Sequence, residues 1–227
     1  MRKLLLSICI LGSCVCFIYV GNWLLSGWRQ SAEDTRLAED FHQRRYVGSE
    51  QTTDENDPGA SEEDRFLALR LINPDIIGWL MIAGTSIDYP VVQGEDNRHY
   101  LSVDFYGQKN KRGAIFQDYR HSEANPLPII YGHHMKDGTM FHDLTYYRSK
   151  EYLSENQEII FILADGAEKV YLVQEILYWD FTNEHERSFV DYFIDMNAGG
   201  GKLLALVTCD NAAADARLIV IAREQDG

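Results

Sequence analysis

Past residue 28 the chain holds a single cysteine, Cys209, so that part cannot close an internal disulfide. Positive charge is also scarce: 21 Lys and Arg stand against 35 Asp and Glu, a formal net charge of -14. This balance excludes nucleic acid as an expected partner, because phosphates call for lysine and arginine. There is no basic stripe and no phosphate-cradling glycine loop; Gly199-Gly-Gly201, between a helix-like stretch and a strand-like run, reads as a helix terminator. No internal repeat stands out. The nearest approach to a metal-ligand set is His133, His134 and His142 with Asp137, but their spacing fits no common zinc motif, and structural zinc more often takes several cysteines. No metal and no cofactor is expected. His134 reads as a surface or turn residue, and Asp137-Gly138 as a turn.

What is present begins with a long apolar run. Arg2 and Lys3 precede Leu4 to Leu25, which carries no charge. About 20 apolar residues cross a bilayer as a helix, so the spacing predicts one N-terminal transmembrane helix within residues 1–28. The positive-inside rule places Arg2 and Lys3 in the cytoplasm and everything after Trp28 outside, with the protein single-pass in the cell membrane. A cleaved signal peptide and a lipoprotein are the rivals. No convincing small-x-small site follows a short apolar region, and the run continues well past Cys14 of the near-match Leu11-Gly-Ser-Cys14. Cys9, Cys14 and Cys16 then lie in the bilayer as small apolar residues or as sites of acylation.

Residues 29–65 are charged and acidic, the composition of an extracellular linker; Ser31 to Arg45 has roughly helical spacing of Leu37 and Phe41. From residue 66 to 227 the pattern is that of a folded domain. A helix over Phe66–Ile72 ends before Asn73-Pro74, and short β-branched runs follow: Ile76–Ile82, Thr85–Gln93, Gly113–Gln117, Pro128–Tyr131, Glu158–Leu163, Lys169–Tyr178, Leu203–Cys209 and Arg217–Arg223. Asp165-Gly166 marks a hairpin. Helical stretches are few, at Asn97–Asp104, Met140–Tyr147 and Glu186–Asn197. Eight strands with a few short helices predict a mainly β fold, a closed or nearly closed barrel.

Two strand ends carry the chemistry. If the last two strands pair antiparallel, Cys209 ends one where Arg217 begins the other. A thiol beside a fixed positive charge is more acidic, and the thiolate is the nucleophile; guanidinium is a fork of donors suited to an oxyanion. His133, after the strand Pro128–Tyr131 and in the turn Gly132-His-His134, supplies a general acid and base at the mouth of the sheet. Together these are the parts acyl transfer from a peptide requires. The bland alternative, a buried structural cysteine and a surface arginine on a non-enzymatic adhesion domain, predicts that Cys209 can be replaced without loss.

The residues around these positions resemble the sortase family, and class B closely. The resemblance lies in Cys209 after Leu206-Val-Thr208, Arg217 before Leu-Ile-Val220, and Tyr131-Gly-His133 ahead of Met135-Lys-Asp-Gly-Thr-Met-Phe141. It extends to Asn73-Pro-Asp-Ile-Ile-Gly-Trp-Leu80, Thr85–Gln93, Asp96-Asn97 with Tyr100-Leu101, and Gly113-Ala-Ile-Phe-Gln-Asp-Tyr119, and covers about Phe66 to Arg223. The helix-like Glu186–Asn197 resembles the class B elaboration before the cysteine strand. The resemblance implies an eight-stranded sortase-type β-barrel and a cysteine transpeptidase with no calcium requirement. It implies Cys209 as nucleophile, His133 as general acid and base, Arg217 as stabiliser of substrate and oxyanion, and Thr208 as a substrate contact. The partners it implies are surface proteins bearing a C-terminal sorting signal, of Asn-Pro type or pilin type, and an amine on a peptidoglycan precursor or a pilin. Here the loop between Cys209 and Arg217 is short and alanine-rich, and its Asp210 and Asp215 are candidates to touch His133 or Arg217. A cysteine hydrolase, with water as acceptor, uses the same residues and stays open.

Overall fold

The structure is a computed structural model that describes residues 13, 15–16, 20–21, 32–43, 62–123, 126–180, 185–198, 202–209 and 216–225. The chain divides into two compact units, Met1–Gln43 and Arg44–Gly227. In the first, residues 32–43 are helical, as the spacing of Leu37 and Phe41 predicts. Most of the expected span Leu4–Leu25 lies outside the described residues; Ser13, Val15, Cys16, Val20 and Gly21 within it are helical. Among the described residues no helix is long and apolar enough to cross a membrane.

The second unit is a closed barrel. Its strands are β1 (Ile76–Ile82), β2 (Asp88–Val92), β3 (Ile115–Gln117), β4 (Ile129–Gly132), β5 (Glu158–Leu163), β6 (Glu168–Asp180), β7 (Leu203–Cys209) and β8 (Ala216–Glu224). They close in the order β1-β2-β3-β4-β7-β8-β6-β5. All eight stand where the sequence places them, with β6 longer at both ends than the expected Lys169–Tyr178. The helices are α1 (Glu62–Ile72), α2 (Lys150–Glu155) and α3 (His185–Ala198). α1 starts a turn ahead of the expected Phe66. α2 is not legible as apolar periodicity; the Ser149 side chain accepts from the Tyr152 amide and starts it, an N-cap in action. The expected helices over Asn97–Asp104 and Met140–Tyr147 are 3-10 turns, His99–Leu101 and His142–Arg148.

Two pairings are parallel, β2 with β3 and β4 with β7. The second brings the C-terminal ends of two strands distant in sequence to one end of the barrel. β7 is apolar on both faces for a structural reason. Leu204 and Leu206 join Leu80, Ile115, Ile130 and Val220 in the barrel interior. Leu203, Ala205 and Val207 face outward and are covered by Phe189, Val190 and Phe193 of α3. Those three recur at helical spacing, so α3 presents an apolar stripe to the sheet. Phe189 and Phe193 are fully buried, and truncating either to alanine costs about 3–5 kcal/mol. This layer holds the outer wall on which the site is built.

Candidate active site

The strand register assembles the site. Gly132 of β4 pairs with Thr208 of β7, which pairs with Leu218 of β8. One residue further towards the same end, Cys209 pairs with Arg217, and His133 follows Gly132. The three residues expected to act together thus stand in one row across β4, β7 and β8, with neighbouring strands about 5 Å apart. The side chain of Cys209 lies outside the described residues, as do Asp210 and Asp215, so the expected contacts of those two acids fall there too.

Gly132 is required where it stands. A Cβ on it would lie 2.6 Å from Ile115 and 2.7 Å from the Phe141 ring, closer than carbon atoms pack. Only a glycine lets the chain pass this interior crowding and deliver His133 to the rim. The His133 ring is oriented by a 2.9 Å contact between Nε2 and the Leu101 carbonyl. A carbonyl can only accept, so Nε2 carries a proton in both the neutral and the charged ring. The proton that a general acid and base exchanges is therefore the one on Nδ1.

A cleft of about 640 Å3 opens on this row. His133, Thr208 and Arg217 line it, with Phe116, Tyr131 and Val207 as its apolar floor. Thr208 is fully buried, and its hydroxyl has no hydrogen-bond partner among the described residues. A buried hydroxyl left unpaired costs about 1–3 kcal/mol. The charge in the cleft runs against that of the whole chain. Among the described residues Arg98, Arg120 and Arg217 line it together with one acid, Asp96. Asp96 accepts hydrogen bonds from the Arg98 and His99 amides, and these, Arg98 first, hold its carboxyl below the usual range.

One part of the wall carries no expectation from sequence. Asp118 is fully buried and binds the Arg120 guanidinium through two bonds, Nε to Oδ1 at 2.8 Å and a terminal nitrogen to Oδ2 at 2.6 Å. Its Oδ2 also accepts from Asn97 Nδ2 and the Tyr131 hydroxyl, each at 3.0 Å. Burial alone would raise the Asp118 pKa, but these bonds, that to Arg120 foremost, outweigh it and hold the carboxyl below its usual range. The sequence signal was a charged pair in Asp118-Tyr-Arg120 directly after a strand, where a buried carboxylate needs a cation nearby.

The residues weighed for zinc are otherwise occupied. Asp137 meets Arg112 at 2.7 Å and Thr139 at 2.6 Å. His134 is half-buried rather than on the surface, its ring 4.7 Å from that of His142. Among the described residues no group of three potential ligands could hold a metal ion. Asp137-Gly138 is a turn as expected, with Gly138 at φ 85° and its amide donating to the Met135 carbonyl at 3.2 Å.

Comparison with known proteins gives a consistent result. The sortase domain family matches residues 80–225. Sortase B of Listeria monocytogenes is 35% identical over 150 residues, spanning 63% of this chain and 60% of that protein. Sortase B of Staphylococcus aureus is 31% identical over 180 residues, 70% of this chain and 74% of that one. The matched part thus spans less than two thirds of the Listeria protein. The solved structure of a Staphylococcus aureus sortase B–substrate complex superposes with a TM-score of 0.69 at 25% identity, covering 87% of this chain and 97% of that one.

Proposed function

This chain belongs to the sortase family and, within it, to class B; from that premise we propose that it is a membrane-anchored cysteine transpeptidase. It cleaves a C-terminal sorting signal, of Asn-Pro type, on a surface protein. It joins the new carboxyl end to an amine on a peptidoglycan precursor or a pilin. The observation that carries this is the row of His133, Cys209 and Arg217 across β4, β7 and β8, two members of which, His133 and Arg217, line one cleft.

The Cys209 thiolate attacks the scissile carbonyl carbon. Negative charge collects on the carbonyl oxygen, where Arg217 stabilises it; an oxyanion donor of this kind is worth about 10²–10³-fold in rate. The carbon–nitrogen bond breaks as His133 gives its Nδ1 proton to the departing amine, leaving a thioester. An incoming amine then attacks the thioester, His133 takes the proton back, an amide forms and the thiolate is released. Leu4–Leu25 anchors the chain with Arg2 and Lys3 in the cytoplasm and the barrel outside. That keeps enzyme, sorting signal and acceptor in one thin layer and raises their effective concentration.

The test is mass spectrometry on the chain incubated with a panel of sorting-signal peptides, with and without triglycine. A Cys209-linked acyl adduct, resolved to an amide only when triglycine is present, is the expected result. Cleavage at a rate and to a product indifferent to triglycine makes the protein a hydrolase instead.

A further inference from the structure

Arg120 is held more firmly than a solubilising surface arginine requires. The Asp118 carboxylate that fixes it accepts five hydrogen bonds: the Arg120 amide at 2.9 Å, the two from its guanidinium, and those from Asn97 and Tyr131. These partners come from the turn after β3, the segment before the His99–Leu101 turn, and β4. The guanidinium also lies 5.5 Å from the centre of the Tyr119 ring. Its side chain is 30% exposed and lines the catalytic cleft. A molecule in the cleft therefore meets a cation whose plane and position are already set, which lowers the ordering cost of binding it.

Sheet order says which substrate that is. The strands run β3-β4-β7-β8, so His133 on β4 stands between Cys209 and Arg217 on one side and Arg120 beyond β3 on the other. The acyl carbon belongs over Cys209, and the proton is exchanged at His133. The nitrogen that leaves and the nitrogen that enters are thus both on the His133 side, and whatever that nitrogen is attached to extends towards β3. The register directs the chain after β3 away from His133, since β3 and β4 are antiparallel, yet Arg120 and His133 line one cleft.

We infer that Arg120 is a specificity-determining residue for the amine partner, and that it takes a carboxylate carried by that partner. The catalytic role rests on the transpeptidase reading; the binding role rests on the cleft alone. Planar guanidinium and carboxylate match as a two-bond fork, and Arg98 adds to the positive potential without an equivalent buried anchor.

The probes are triglycine and triglycinamide, which differ in that carboxylate. With a donor peptide that acylates the chain, the wild type should show a KM for triglycine about 10-fold below that for triglycinamide, the size expected of a partly solvated charged pair. In Arg120→Gln the ratio should fall to about 1, through a rise in KM for triglycine at little change in kcat. Arg120→Lys should keep part of the preference, which a merely structural role would not predict. A ratio unchanged in Arg120→Gln, or one lost in Arg98→Gln instead, overturns the assignment. Titration of both amines into the resting full-length chain, followed by NMR, reads the same ratio without turnover. A chain that forms no acyl adduct yet binds triglycine through Arg120 sinks the transpeptidase reading alone; equal binding of both amines sinks the Arg120 inference alone.

Discussion

At one end of the barrel a cleft of about 640 Å3 gathers Arg98, Arg120 and Arg217 with, among the described residues, a single lining acid, Asp96. At the other, a cavity of about 660 Å3 has Lys169 and Lys202 both reaching Glu224, at 3.4 and 3.6 Å. The cavities are nearly equal in size, and size does not separate them. What separates them is where the strands put their chemistry. β7 begins at the second cavity with Leu203 and ends in the first with Thr208, so the same strand supplies a packing residue to one and an unpaired hydroxyl to the other. At the second end Glu224 pairs with both lysines, and Ile77, Phe161, Leu163 and Tyr171 are among the lining residues. At the first end one of the three arginines, Arg120, is held by a buried carboxylate, that of Asp118.

The largest effects belong to the row at the first end. Cys209→Ala should abolish the acyl adduct, a loss of more than about 10³-fold, with the melting temperature close to wild type; an adduct still trapped in that variant removes Cys209 from the mechanism. Arg217→Lys keeps the charge but not the planar fork. It should lower kcat by about 10²-fold in the same peptide assay, and near-normal turnover would show that a point charge is enough.

How much of this was legible from sequence depends on whether the cause is local. The eight strands were legible because alternation, β-branching and turn residues are local signals, and β1, β5 and β7 match their expected limits. The stretches Asn97–Asp104 and Met140–Tyr147, expected as helices, are not α-helical. They are 3-10 segments of three and seven residues: Asp96 accepts from the Arg98 and His99 amides at the first, and Phe141 and Leu144 are fully buried at the second. His133, Thr208 and Arg217 were legible because each flanks a strand in a recognisable motif. The Asp118 network was not, because its members are contributed by Asn97, Arg120 and Tyr131 from separate elements and meet only once β3 and β4 have paired.

That network gives the next effect in size, on stability. Asp118→Asn leaves Asn97, Arg120 and Tyr131 without their charged acceptor. It should cost about 2–4 kcal/mol at pH 7, below the loss for a fully buried pair because Arg120 is partly solvated. The effect must depend on pH. The folded-state pKa of Asp118 is depressed, so its stabilisation is complete above the unfolded value of about 4 and disappears as pH falls through the folded value. Urea melts across pH 2 to 7 should show the wild type losing stability on that acid limb more steeply than Asp118→Asn, and parallel curves would mean that the carboxylate is not the group responsible.

Smaller, and opposite in sign for stability and activity, is Thr208→Val. The valine keeps the shape and removes a hydroxyl that has no partner among the described residues. The protein should gain up to about 1 kcal/mol while kcat/KM for the donor peptide falls about 5-fold if Thr208, which lines the cleft, contacts substrate through that oxygen. A variant no more stable and no less active would make Thr208 a packing residue with an incidental oxygen.

The least effect tests the contrast between the two ends itself. Glu224 is shared by Lys169 and Lys202, whose side chains are 35% and 67% exposed. Pairs of that kind contribute about 0–1 kcal/mol because water screens them and two flexible side chains must be ordered. Glu224→Gln should therefore change stability by less than about 1 kcal/mol and leave kcat and KM for donor and amine within error. Glu224 does sit on β8, the strand that begins with Ala216 and Arg217 at the other end. A change in kcat at unchanged stability would mean that the strand transmits strain along its length, and the two ends would have to be treated as one system.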